Sequence, residues 1–164
     1  MTSSAVVEKT LRELGRLVFN FNAAEHSFRR LLWLMINPAD ERIGQIVTDG
    51  LDLARSGETI RQIAGHRKLG EALMKEIESQ VAEFDQLRQT RNKFVHGFWR
   101  IPNDATDLTQ MEAAQLPRRR TADYQSVPGS NDPATIETAA SLAAKLGNSI
   151  DDTLEKVRAA LVAA

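Results

Sequence analysis

One stretch concentrates side chains able to do chemistry: Gln89-Thr90-Arg91-Asn92-Lys93-Phe94-Val95-His96-Gly97-Phe98-Trp99. An imidazole takes up and releases a proton near neutral pH. An arginine beside it can hold a phosphate through two parallel hydrogen bonds and stabilise charge that builds up in a transition state. An asparagine can orient either group, or a ribose hydroxyl. Arg91, Asn92 and His96 are therefore a sufficient, metal-free kit for cleaving RNA by internal attack of a 2′-hydroxyl. A second reading stands beside this one, in which Arg91 pairs with a carboxylate inside the fold and His96 merely ends a helix. Spacing complicates the first reading. On a continuous helix Arg91 and His96 lie about 140° apart and share no face. Asn92 and His96 are four apart and do share one, and Arg88 extends that row.

Competing chemistries find little to work with. The chain has no cysteine, which removes disulfides, thiolate metal sites and cysteine nucleophiles. His26, His66 and His96 fall on different expected helices, with no H-x-x-x-H pair, so no metal site is expected. No glycine-rich loop follows a strand, no serine has a base near it in sequence, and no cofactor is expected. The net charge of −1 gives no global pull toward polyanions or membranes. The longest apolar run, Leu31 to Ile36, falls far short of the roughly 20 residues that span a bilayer. Met1-Thr2-Ser3-Ser4 lacks the basic-then-apolar order of a secretory signal. These features predict a soluble, cytoplasmic protein with no membrane partner.

The elements that must position the motif are helical. A first helix runs from a cap at Ser3 or Ser4 to about Ile36, where Asn37-Pro38 stops it. Its apolar positions are Val7, Leu11, Leu14, Val18, Phe21, Phe28, Leu32 and Met35, with Glu25 interrupting the stripe. A short second helix spans Asp40 to about Thr48, with Ile43, Ile46 and Val47 as its apolar face. Between Leu51 and Leu69 either one kinked helix or two short ones fit, because Ser56-Gly57 interrupts the pattern. From Glu71 the pattern strengthens: Leu73, Ile77, Gln80, Phe84, Leu87, Arg91, Phe94 and Phe98 step alternately by 4 and 3, and Gly97 ends the helix. Two stripes that each carry one charge of opposite sign, Glu25 and Arg91, predict that those residues meet. Residues 99 to 131 lose the helical period, and 99–101 can pair with 119–124 as a short hairpin across a 103–116 connection. A last helix, about 132 to 162, starts at an Asn131 or Asp132 cap with Pro133 in its first position, and Ile136, Ala139, Ala143, Leu146, Ile150, Leu154, Val157 and Leu161 give it an apolar edge. The expected fold is a single all-α domain over 1–164, an antiparallel bundle of four to five helices with a small loop or β-hairpin insertion before the last helix.

Arg91-Asn92-Lys93-Phe94-Val95-His96 resembles the R-x4-6-H motif of the HEPN domain superfamily, in its form with a polar residue directly after the arginine. A long first helix and a motif near the end of a later long helix agree with that resemblance. It implies an all-α homodimer whose two motifs meet in one composite site at the interface. It also implies a metal-independent endoribonuclease of a toxin or defence system, or a non-catalytic module of the same fold that binds RNA, nucleotides or proteins. An antitoxin or nucleotidyltransferase is the kind of partner implied. By position, Arg91 would hold the scissile phosphate, His96 would be the acid and base, Asn92 the supporting polar group, and Glu25 an orienter of Arg91. Arg88, Lys93 and Arg100 around the motif, with Arg29, Arg30 and Arg118-Arg119-Arg120 elsewhere, are the candidate RNA-binding cations. Phe98, Trp99 and Trp33 are read as core or interface packing.

Overall fold

The computed structural model describes residues 3–100, 112–115, 125–127, 130 and 132–162. Among the described residues there are five helices: α1 (Ser3–Ile36), α2 (Glu41–Val47), α3 (Leu53–His66), α4 (Glu71–Val95) and α5 (Pro133–Val162). Between α4 and α5 the described residues form three short strands, β1 (Phe98–Arg100), β2 (Glu112–Gln115) and β3 (Gln125–Ser126). The fold class is the expected all-α helical bundle with a small insertion before the last helix. No described helix is long and apolar enough to cross a membrane. The chain divides into two compact units, Met1–Phe21 with Leu87–Ala143, and Asn22–Gln86 with Ala144–Ala164.

The first unit holds the motif. Its core is Leu17, Phe94, Ala113, Val127, Ile136, Ala139 and Ala140, with Leu14 and Trp99 packed against it. The expected stripe of α1 is displaced here. Leu11 is 59 % exposed, whereas Thr10, Glu13 and Leu17 are buried. The buried Glu13 is compensated by Arg16 at 2.8 Å and Arg12 at 3.4 Å, as a carboxylate out of water requires. Asn20 Nδ2 donates to the Ala140 carbonyl at 2.9 Å, tying α1 to α5. At the start of α5, Asp132 accepts from the Ala134 amide at 3.0 Å, the capping expected of it.

The sheet is an antiparallel meander in the order β1-β2-β3. Phe98 stands opposite Ala114, Trp99 opposite Ala113 and Arg100 opposite Glu112. The partner of β1 is therefore 112–115, inside the stretch expected to be a connection, and the expected partner 119–124 lies outside the described residues. The pairing was hard to foresee because Ala113 and Ala114 have little β propensity. Their small side chains are fully buried instead, one on each face of the strand.

In the second unit, the C-terminal half of α1 behaves as expected. Phe28, Leu32 and Met35 are buried, and the Phe28 and Phe84 rings stack with centroids 4.2 Å apart. The short helix α2, capped by Asp40, presents the opposite face to the one expected. Ile43, Ile46 and Val47 are exposed, and Gly44 is buried. The reason is close approach: a Cβ at Gly44 would come within 2.5 Å of the Trp33 Cα. Of the two arrangements for the third segment, the structure has one helix, α3, and Gly57 sits inside it where a Cβ would meet Val81 at 2.9 Å. On α5, Ile150, Leu154 and Val157 are buried as the spacing predicts.

A polar cluster crosses this unit from α4 to α5. Gln80 Nε2 donates to the Ser149 carbonyl at 3.0 Å and to Thr153 Oγ1 at 2.8 Å, and Lys156 reaches the Glu76 carboxylate at 2.7 Å. The Lys156 ammonium, and then the Thr153 hydroxyl, hold the Glu76 carboxyl below the usual glutamate range. A folded-state value lower than the unfolded one adds stability above the unfolded value, and that stability is lost as pH falls through the folded one. Glu76→Gln should therefore melt below the wild type at neutral pH, and the gap should close as the pH drops below about 4. Thermal melts from pH 7 to pH 3 check this, and a gap that stays constant would contradict it.

Candidate functional site

The site forms where α4 ends. His96 has left the helix, although its amide still donates to the Asn92 carbonyl at 3.0 Å. Two contacts fix this exit. Trp99 Nε1 donates to the Phe94 carbonyl at 3.0 Å, satisfying one of the acceptors that a helix C-terminus leaves open. Gly97 lies so close to the Lys93 carbonyl that no side chain fits, and a Cβ there would also lie 3.3 Å from the Ala114 carbonyl. Gly97→Ala is expected to destabilise the protein by about 1–3 kcal/mol, the usual cost of forcing a methyl into filled space. Denaturant titration checks this, and an unchanged midpoint would show that the turn at Gly97 relaxes freely.

Because the chain turns after Val95, Arg91 and His96 do meet within one chain. Arg91 Nη1 donates to His96 Nε2 at 2.6 Å and to Asn92 Oδ1 at 3.1 Å. The helical separation of about 140° assumed a continuous helix through His96. The two principal residues of the motif therefore meet without a second subunit. A guanidinium has only donors, so Nε2 is the acceptor in this contact.

Arg91 is half-buried, with its guanidinium carbon 5.4 Å from the centre of the Phe21 ring. That places the cation over an aromatic face, a favourable contact that α1 supplies. Sequence reasoning identified Phe21 as a core residue and missed this second role. Among the described residues, Arg91 Nε is buried without a hydrogen-bond partner. Asn92 is half-buried, and His96 and Lys93 are exposed. The motif thus presents one anchored guanidinium and one solvent-accessible imidazole in direct contact.

The other expected residues distribute differently. Glu25 belongs to the second unit and accepts from Arg29, one turn along α1, at 3.1 Å. Its side chain is 27 % exposed, so this stripe carboxylate is satisfied within its own helix. Arg100 pairs across the strands with Glu112 at 3.0 Å, and Arg88 is half-buried. The Arg118-Arg119-Arg120 run lies outside the described residues. Trp99 packs into the core as expected, whereas Phe98, read for core or interface packing, is 52 % exposed and lies outside the core. Alternation along a strand, had β1 been assigned, would have separated these two neighbours.

Among the described residues, no group of three or more His, Asp or Glu side chains is placed to hold a metal ion. Between residues 86 and 103 the sequence carries four cations, Arg88, Arg91, Lys93 and Arg100, and no acid, with Arg100 engaged by Glu112 of β2, so the positive charge beside His96 comes from Arg91 and Lys93. Compared with known proteins, the chain matches no family model, no curated protein and no solved structure.

Proposed function

We propose that this protein is a metal-independent endoribonuclease of HEPN type, cleaving RNA by attack of a ribose 2′-hydroxyl on the adjacent phosphate. The observation that supports the reading best is the Arg91–His96 contact at 2.6 Å beside an exposed imidazole. When a phosphate arrives, Arg91 exchanges the ring nitrogen for a phosphate oxygen, a stronger, charge-assisted acceptor. That exchange frees the Nε2 lone pair. His96 then takes the 2′-hydroxyl proton as the 2′-oxygen bonds to phosphorus, and a proton is returned to the 5′-oxygen as its bond to phosphorus breaks. Products would carry a 2′,3′-cyclic phosphate and a 5′-hydroxyl. Asn92 holds the guanidinium during the exchange. Lys93, Arg88 and Arg100 supply weaker, non-specific phosphate attraction. Glu25, satisfied by Arg29, is given no step.

The toxin or defence role, the antitoxin or nucleotidyltransferase partner, the cytoplasmic location and the homodimer belong to this proposal through the resemblance alone. A specific observation favours a second reading, a non-catalytic module that binds RNA or protein. The contacts of Arg91 with Phe21, Asn92 and His96 would also serve simply to lock the end of α4. Cleavage of RNA in EDTA by wild type, Arg91→Ala and His96→Ala separates the two, with sedimentation reporting whether the protein is a dimer. Loss of cleavage in both variants, each still folded, supports the enzyme; undiminished cleavage by His96→Ala overturns the mechanism.

A further inference from the structure

We infer that Trp99 is a positioning residue for His96: its indole N–H, by holding the Phe94 carbonyl, keeps the chain out of the helix and so seats the imidazole on Arg91. The inference rests on the ribonuclease proposed above, and adds to it a residue that touches neither substrate nor reacting atoms. Along a continuous helix, Arg91 and His96 would lie about 140° apart and could not meet. They meet, Nη1 to Nε2 at 2.6 Å, because α4 stops at Val95. Whatever holds that stop therefore holds the site.

Three observations assign that task to Trp99. In an uninterrupted α-helix the Phe94 carbonyl would accept from the amide four residues on, that of Phe98. Here it accepts from Trp99 Nε1 at 3.0 Å, and Phe98 opens β1 instead. The indole is itself fixed, since it packs against the core of Leu17, Phe94 and Ala113 and stands opposite the fully buried Ala113 in the β1–β2 pairing. An indole carries a donor and no acceptor, so it can close an open carbonyl while its body stays in apolar surroundings. His96, by contrast, is exposed, so burial does not hold its ring and the path of the backbone must. That path is pinned on both sides: the His96 amide donates back to the Asn92 carbonyl at 3.0 Å, and Trp99 ties the chain that follows. The other contacts of Arg91, to Asn92 and Phe21, do not pass through Trp99. Loss of the indole N–H should therefore release His96 and leave the guanidinium in place.

The test removes the indole N–H in two ways. Trp99→Phe takes away the donor and part of the ring; Trp99→benzothienylalanine, introduced at this position alone, puts sulfur in place of the N–H and keeps the ring outline. In the wild type, nuclear Overhauser cross-peaks should join the His96 ring protons to the Arg91 side chain. Both replacements should abolish them, while cross-peaks from Arg91 to the Phe21 ring persist. In cleavage of a labelled RNA, kcat should fall by about 10- to 100-fold, the upper value being the cost of a ~1 Å misplacement. KM should change little, because Arg91 and Lys93 still meet phosphate. In the His96→Ala background Trp99→Phe should cost nothing further, whereas a residue that only stabilises the fold would cost the same in both. Arg91–His96 cross-peaks that persist in the benzothienylalanine protein overturn the inference, as does an equal loss of activity in the His96→Ala background. The two proposals fail separately. Cross-peaks lost on replacement, with no cleavage by wild type, leave the positioning standing and remove the enzyme; His96-dependent cleavage with cross-peaks unmoved does the reverse.

Discussion

His96→Ala is expected to lower RNA cleavage by about 10²- to 10⁴-fold, the usual contribution of a positioned proton-transfer group. Arg91→Ala should cost about 10²- to 10³-fold, as for other donors aimed at charge that develops in the transition state. The double variant should lose little more than the worse single one, because the two side chains share one hydrogen bond and act as a unit. Arg91→Lys is informative as well. A lysine keeps the charge, but it lacks the planar fork that donates to Asn92 and His96 while lying over Phe21. Its activity should stay near that of Arg91→Ala. Steady-state cleavage of a labelled RNA, on protein whose melting curve is unchanged, measures all four. Losses that multiply would mean that Arg91 and His96 serve separate steps.

The largest effect on stability is expected from Phe84→Ala, at about 3–5 kcal/mol. Phe84 is 1 % exposed and its ring stacks on the equally buried Phe28, 4.2 Å away and within 5° of parallel. Truncation removes the apolar area, leaves a cavity and forfeits the aromatic pair together. Phe98→Ala, at a ring that is 52 % exposed, should cost far less. Urea or guanidinium titration gives the comparison. A Phe84→Ala loss below about 1 kcal/mol would mean that the surrounding core collapses into the space.

How far the sequence reached depends on what marked each element. On α5 the apolar edge from Ile136 through Val157 was legible because seven positions kept one period, and all are buried. The first half of α1 was not, because the buried face passes through Thr10 and Glu13, two residues that hydropathy assigns to water. The face of α2 was inverted for a related reason. Its contact residue is Gly44, whose value lies in the absence of a side chain, and no pattern of apolar residues reports that. The motif residues themselves were readable from type and spacing. Their convergence was not, since it depends on where α4 ends, and a helical wheel carries the helix past Val95 through His96 to Phe98. The exposure of Phe98 was hidden by the same step: read as a helix position it fell on the buried stripe, and as a strand position it faces out.

The central claim is that the 2′-hydroxyl attacks while Arg91 and His96 assist, and the chemistry of the product ends tests it most directly. Purified protein in EDTA would be given an RNA and the same RNA carrying one 2′-deoxy nucleotide at the preferred cut. The expected result is fragments ending in 2′,3′-cyclic phosphate and 5′-hydroxyl, no cutting at the deoxy position, and neither product from His96→Ala. Cutting at the deoxy position, ends of the opposite polarity, or full activity in His96→Ala would contradict the account.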